Sequence, residues 1–143
     1  MKKTFLALVA LLLTITTYAQ TKADQLNGIW TNEQQTIRIE FFKAPTGYAA
    51  KIVWLAEPND EHGKPKLDSE NPNAALRKNT LIGTTIIYNL KFDGKNSYKS
   101  GKIYAPRRGM IADCSIKVVS STQMEITGKK GLFNDTKIWT RCK

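Results

Sequence analysis

Apolar side chains recur at every second position through most of this sequence, and no strong amphipathic helix interrupts them. Thr36 to Phe42 sets Ile37, Ile39 and Phe41 against Arg38 and Glu40. Tyr48 to Leu55 puts Tyr48, Ala50, Ile52 and Trp54 opposite Lys51. Ile82 to Phe92 aligns Ile82, Thr84, Ile86, Tyr88, Leu90 and Phe92, and Ile111 to Val119 sets Ala112, Cys114, Ile116 and Val118 against Asp113, Ser115 and Lys117. Successive side chains of a strand point to opposite faces, so this period is that of strands buried on one side. Gly28 to Glu33, Asn96 to Tyr104, Gln123 to Thr127 and Thr136 to Cys142 complete about eight such segments. Ala44-Pro45-Thr46-Gly47, Asp93-Gly94-Lys95-Asn96 and Pro106-Arg107-Arg108-Gly109 between them carry the chemistry of short reversals. The expected fold is therefore all-β: an eight-stranded, up-and-down antiparallel barrel, which removes its own edges. A barrel of that size is either filled by side chains or holds one small ligand.

One connection departs from the hairpin pattern. Glu57 to Thr80 is polar throughout and long for a compact domain. Asn71 followed by Pro72 suits the cap and first position of a short helical turn. A loop of this length is expected to act as a lid or binding loop, or to be a plain solvated connection.

Residues 1–19 read as a cleavable signal peptide. Lys2 and Lys3 precede an apolar run from Phe5 to Ile15, and Thr17-Tyr18-Ala19 supplies small residues before a cut after Ala19. The run is shorter than the roughly 20 residues a membrane span needs, so no integral membrane span is expected. No cysteine stands near the cut to take a lipid. The expectation is a single barrel domain over residues 20–143, in the periplasm or outside the cell. The formal net charge of +10 favours anionic partners. The lysines are scattered, with no basic helix and no arginine cluster beyond Arg107-Arg108, so nucleic acid is not an expected partner.

Gly28-Ile29-Trp30 opens the first strand and Trp139-Thr140-Arg141 ends the last. This pairing resembles the signature of the lipocalin and fatty-acid-binding superfamily, in which a first-strand tryptophan packs beneath an arginine of the final strand. A guanidinium over an indole face gives a cation–π contact, and its donors can tie the closed end together. The resemblance makes Gly28, Trp30, Trp139 and Arg141 structural. Over the whole exported portion the chain resembles a narrower exported bacterial family, the domain of unknown function numbered 2147. The residues that carry this are Asp68-Ser69-Glu70-Asn71-Pro72-Asn73-Ala74-Ala75-Leu76-Arg77, Leu81-Ile82-Gly83, Gly101-Lys102-Ile103-Tyr104-Ala105-Pro106 and Trp139-Thr140-Arg141. The resemblance implies a lipocalin-like barrel and an envelope location, and no established activity. Asn73 and Ala105 stand where that family usually has aspartates.

Chemistry-bearing residues are sparse. His62 is the single histidine, with Glu57, Asp60, Glu61 and Asp68 near it in sequence, either as a metal or acid–base site or as a solvated loop. No nucleophile elbow or phosphate-binding glycine loop is present, so no catalytic residue, metal or cofactor is assigned. Cys114 and Cys142 are expected to fall at opposite ends of the sheet and to stay unbridged. Asp68 and Asn71 are read as fixing the long loop, while Arg77 either pairs with Asp68 or meets an anionic ligand head. Lys99 and Lys102 cannot both face outward under strict alternation, so either Gly101 marks a bulge or one lysine points inward. The candidate pocket residues are Tyr48, Trp54, Arg77, Ile86, Tyr88, Lys102 and Tyr104. The expected function is binding of a small apolar or amphipathic, anionic molecule in the barrel. The alternative is a filled barrel that serves the envelope as an interaction or structural module.

Overall fold

The computed structural model describes residues 22–143, so the expected signal peptide lies outside the described residues. Eight strands follow one another: β1 (Gly28–Asn32), β2 (Ile37–Ala44), β3 (Gly47–Leu55), β4 (Thr85–Phe92), β5 (Ser97–Ala105), β6 (Met110–Val118), β7 (Gln123–Lys130) and β8 (Phe133–Arg141). Each pairs antiparallel with its neighbours, and β8 returns to β1, so the sheet is a closed barrel in the order of the chain. The closing seam is short. It pairs Trp30 with Arg141, Thr31 with Thr140 and Asn32 with Trp139, where β1 ends. Phe133 to Ile138 of β8 therefore pair with β7 alone among the described residues.

One end of the barrel is filled. Trp30, Ile39, Phe41, Leu90, Tyr98 and Met124 are buried there, with Leu26 of the short 3-10 turn Asp24–Leu26 pressed in from below. The Tyr48 and Tyr98 rings meet edge to face at 5.5 Å. Their hydroxyls leave the apolar interior by donating to Asp24 Oδ1 and to the Ala23 carbonyl. That is the usual accommodation of a buried tyrosine, a large apolar body with one polar tip that needs a partner.

The lock of this end is the arginine–tryptophan pair. Arg141 Cζ sits 4.3 Å from the centre of the Trp30 ring. Its nitrogens donate to the carbonyls of Asn27 (2.7 Å), Gln25 and Ser121 (2.8 Å), while Trp30 Nε1 donates to the Leu26 carbonyl at 3.0 Å. Gly28 is what lets the guanidinium through. A Cβ there would stand 2.7 Å from Arg141 Nη1, on a backbone with φ of 121°. The G-x-W and W-x-R segments thus form one device, the glycine making room for the cation that covers the tryptophan.

Strict alternation fails at three places, and each moves side chains to another face. Between Arg38 and Ile39 the register with β3 shifts, because Arg38 opposes Trp54 and Ile39 opposes Ile52, leaving Val53 as an extra residue. Ile86 is a similar extra residue between the pairs Ala50–Ile87 and Lys51–Thr85. Asn89 and Ser100, both with φ of 61°, break β4 and β5 at matching heights. The last irregularity resolves the lysine question: Lys99 and Lys102 both reach solvent, and the break lies between Tyr98 and Gly101. Gly101 faces the interior, where a Cβ would collide with the Leu90 side chain at 2.5 Å.

Candidate functional site

Tyr88 pairs with Lys102, and Lys102 with Asp113, so these three share a face of the sheet. Ile87, Ile103 and Ala112 share the other, one pleat above the inward row of Gly101, Cys114 and Gly128. Tyr88 therefore points outward. So do Tyr104 and Ile111, which oppose each other two residues beyond Lys102 and Asp113. Yet Tyr104 is only 6 % exposed. What covers it is the long connection between β3 and β4, folded back against the outer wall of β4, β5 and β6 near the open end.

That connection is itself built as a hairpin. Lys66 N donates to the Pro58 carbonyl, Leu81 N to that of Lys66 and Asp68 N to that of Asn79, with Leu67 and Thr80 bridged. At its heart is Asp68, 2 % exposed. One carboxylate oxygen accepts from the Tyr104 hydroxyl at 2.6 Å and the other from Asn71 Nδ2 at 2.7 Å. Asn71 Oδ1 in turn accepts from Asn73 N, Asn73 Oδ1 accepts from Ala75 N and so caps the 3-10 turn Ala74–Leu76, and Arg77 Nε donates to the Asn71 carbonyl at 2.7 Å. A buried carboxylate is costly unless hydrogen-bonded, and here the loop and the wall each supply one donor. Burial, then the bond to Asp68, pushes the Tyr104 phenol up to about 12, so at neutral pH it holds its proton and donates. The loop also comes close to the β5–β6 turn, where a Cβ on Gly109 would stand 2.1 Å from the Glu70 carbonyl oxygen.

Between loop and wall lies a cleft of about 720 Å³. Tyr88, Tyr104 and Ile111 form its wall side, and Asp68, Asn71, Pro72, Leu76 and Ile82 belong to its loop side. Asp68 is the one ionisable carboxylate in a lining otherwise made of amides, hydroxyls and apolar groups, and no lysine or arginine lines it. Its amides and hydroxyls can both donate to and accept from a polar group while the cleft covers an apolar or ring-shaped body.

Of the residues singled out from the sequence, the structure brings Tyr88, Tyr104, Asp68, Asn71 and Pro72 together here. The others stand elsewhere. Tyr48 is part of the filled end, held by Asp24. Trp54 is on the outer surface under Arg38, whose Cζ lies 4.6 Å from the ring centre, because the bulge at Val53 turns it away from Ile52. Ile86 is buried in the core as the extra residue of its bulge. Arg77 is engaged by the Asn71 carbonyl rather than by Asp68. Lys102 is outside, ion-paired with Asp113, whose carboxyl that contact holds below its ordinary value. Trp139 packs partly buried against the core. The helical turn begins later than expected, with Asn73 rather than Asn71 as its cap.

His62 is exposed with Glu61 Oε1 3.4 Å away, and no group of three or more histidine, cysteine or acidic side chains converges among the described residues. Cys114 and Cys142 are unbridged, and burial pushes the Cys114 thiol up to about 12. No helix among the described residues is long and apolar enough to cross a membrane. Sequence reasoning missed Ile111, Leu76 and Thr84 as lining residues. Ile111 was open to discovery, since a hairpin closing at Pro106–Gly109 places it opposite Tyr104.

The family described as an uncharacterized protein conserved in bacteria (DUF2147) matches residues 28–141. Among solved structures, the protein HP1028 from the human pathogen Helicobacter pylori, described as belonging to the lipocalin family, superposes with a TM-score of 0.71. It is 27% identical, over 82% of this chain and 83% of that one. No curated protein matches the chain.

Proposed function

Because the chain belongs to the bacterial family DUF2147 and shares a barrel with a lipocalin, we propose that it is a non-catalytic binding protein of the bacterial envelope for one small amphipathic molecule. The observation that carries this reading is the roofed cleft. Its volume of about 720 Å³ falls within the roughly 300–1,000 Å³ usual for small-molecule sites, and its walls mix aromatic and aliphatic faces with a few oriented polar groups. The filled end of the barrel and the outward direction of Tyr88 and Tyr104 favour a ligand held between loop and wall over one held on the barrel axis. Sequence alone favoured an anionic head. The cations once offered for it, Arg77 and Lys102, are engaged with the Asn71 carbonyl and Asp113 instead. No lysine or arginine lines the cleft, and the buried Asp68 is already held by Tyr104 and Asn71. The exposed amides and hydroxyls of Asn73, Asn79, Thr80 and Thr85 therefore make an uncharged, hydrogen-bonding head the better match.

Native mass spectrometry of the exported protein, purified without delipidation, tests this directly. A stoichiometric small molecule that is lost in Tyr88→Ala supports the reading and identifies the ligand class. A mass that stays bare after exposure to lipid and metabolite extracts overturns it. The filled barrel as an interaction module would then stand, a reading favoured by the packed closed end.

A further inference from the structure

The open end of the barrel presents two neighbouring hairpin tips. The β5–β6 turn carries Arg107 and Arg108, both exposed, followed by Met110 at 42 % exposure. Beside it the β7–β8 turn carries Leu132, fully exposed, and Phe133 at 63 %, flanked by exposed Lys129, Lys130 and Lys137. The pairing of Asp113 with Lys129 sets the two tips side by side. Nearby carboxylates offset only part of this charge: Asp135 sits 3.7 Å from Lys137, Asp113 is taken by Lys102, and Glu70 lies beside Gly109, which leaves the cations in excess. Leu132 and Phe133 have no interior to enter, because β1 stops at Asn32 and the upper half of β8 stands beyond the closing seam.

We propose that this rim docks the protein on an anionic phospholipid bilayer, with Leu132 and Phe133 entering the headgroup–acyl boundary and Arg107, Arg108, Lys129 and Lys130 meeting lipid phosphates. Two large apolar side chains at the tip of a hairpin, ringed by cations, are the complement of that interface. Each basic residue near an anionic leaflet adds to the attraction, and each buried apolar side chain adds a salt-independent part. A second copy of the chain is the poorer occupant, since two such rims would bring like charges together. The inference is independent of what the cleft holds.

The test is flotation of the protein recovered from the bacterial envelope with vesicles of phosphatidylcholine containing one-third phosphatidylglycerol. Binding is expected to those vesicles and not to pure phosphatidylcholine. Leu132→Ser with Phe133→Ser should lower the partition at least about ten-fold, and Lys129→Gln with Lys130→Gln by a similar factor. All four side chains are exposed, so these variants keep the fold, which circular dichroism verifies. No binding to the anionic vesicles, binding that ignores lipid charge, or binding unchanged in the tip variant would each overturn the proposal. So would a lipid-free dimer in sedimentation that the tip variant abolishes, which would assign the rim to a second copy.

Discussion

Replacing Arg141 by alanine removes the closed end's lock, and its cost can be worked from the contacts. Two of the three carbonyls it serves, those of Asn27 and Gln25, lie in part-buried surroundings, and the third, on Ser121, faces solvent and can be rehydrated. Leaving two such acceptors without a charged donor costs about 1–1.5 kcal/mol each. The cation–π contact with Trp30 adds about 1 kcal/mol in this partly dry setting. The sum, about 3–4 kcal/mol, is a large part of the roughly 5–15 kcal/mol that holds a domain folded. It corresponds to a fall in Tm of about 12–16 °C at ~4 °C per kcal/mol for a domain of this size. Urea unfolding followed by tryptophan fluorescence and circular dichroism would measure it. Arg141→Lys should recover less than half of the loss, since an ammonium cannot serve several carbonyls from one plane while lying over the indole. A loss below about 1 kcal/mol for Arg141→Ala, or full recovery with lysine, would refute the assignment of Arg141 as the lock.

Gly28→Ala should destabilise by about 1–3 kcal/mol through its backbone conformation and the collision with Arg141, and in urea titrations its effect should be less than additive with Arg141→Ala. Tyr104→Phe leaves the buried Asp68 carboxylate with one donor fewer. A loss of about 1–3 kcal/mol is expected, together with faster limited proteolysis within 57–84 while the strands stay protected. The buried phenols Tyr98 and Tyr104, both pushed up to about 12, bind protons in the folded state that the unfolded chain has released. Stability should therefore be intact below about pH 10 and fall as the pH rises towards 12, a decline that Tyr104→Phe makes shallower in an alkaline unfolding titration. In the native protein Cys142 should alkylate well before Cys114, and two thiols should titrate after denaturation without reductant. One thiol or none would contradict the unbridged arrangement.

The strand series and the barrel could be read from alternation and turn residues because a half-buried strand writes its burial directly into period two. Face assignment was less legible. No glycine or proline marks Val53, and Ile86 looks like any core residue, so the bulges that turn Trp54 outward and insert Ile86 leave no local signature. Once those shifts accumulate, Tyr88 and Tyr104 change from expected lining of the interior to lining of an outer cleft. Asp68 and Asn71 could be singled out from their segment alone. That Asp68 reaches across to Tyr104 could not, because the contact joins residues 36 apart and depends on which face Tyr104 occupies.

The seam between β1 and β8 has a consequence for the order of events in folding. It joins residue 30 to residue 141, and the cation that covers Trp30 arrives on the last strand of the barrel. A chain emerging from its N-terminus can form each successive hairpin as it appears, since those contacts are local. It cannot shield its first tryptophan or seal the plug at Leu26 until the final strand is out. Through nearly the whole of its emergence, then, the first edge is without its partner strand, and the barrel cannot close until β8 is out.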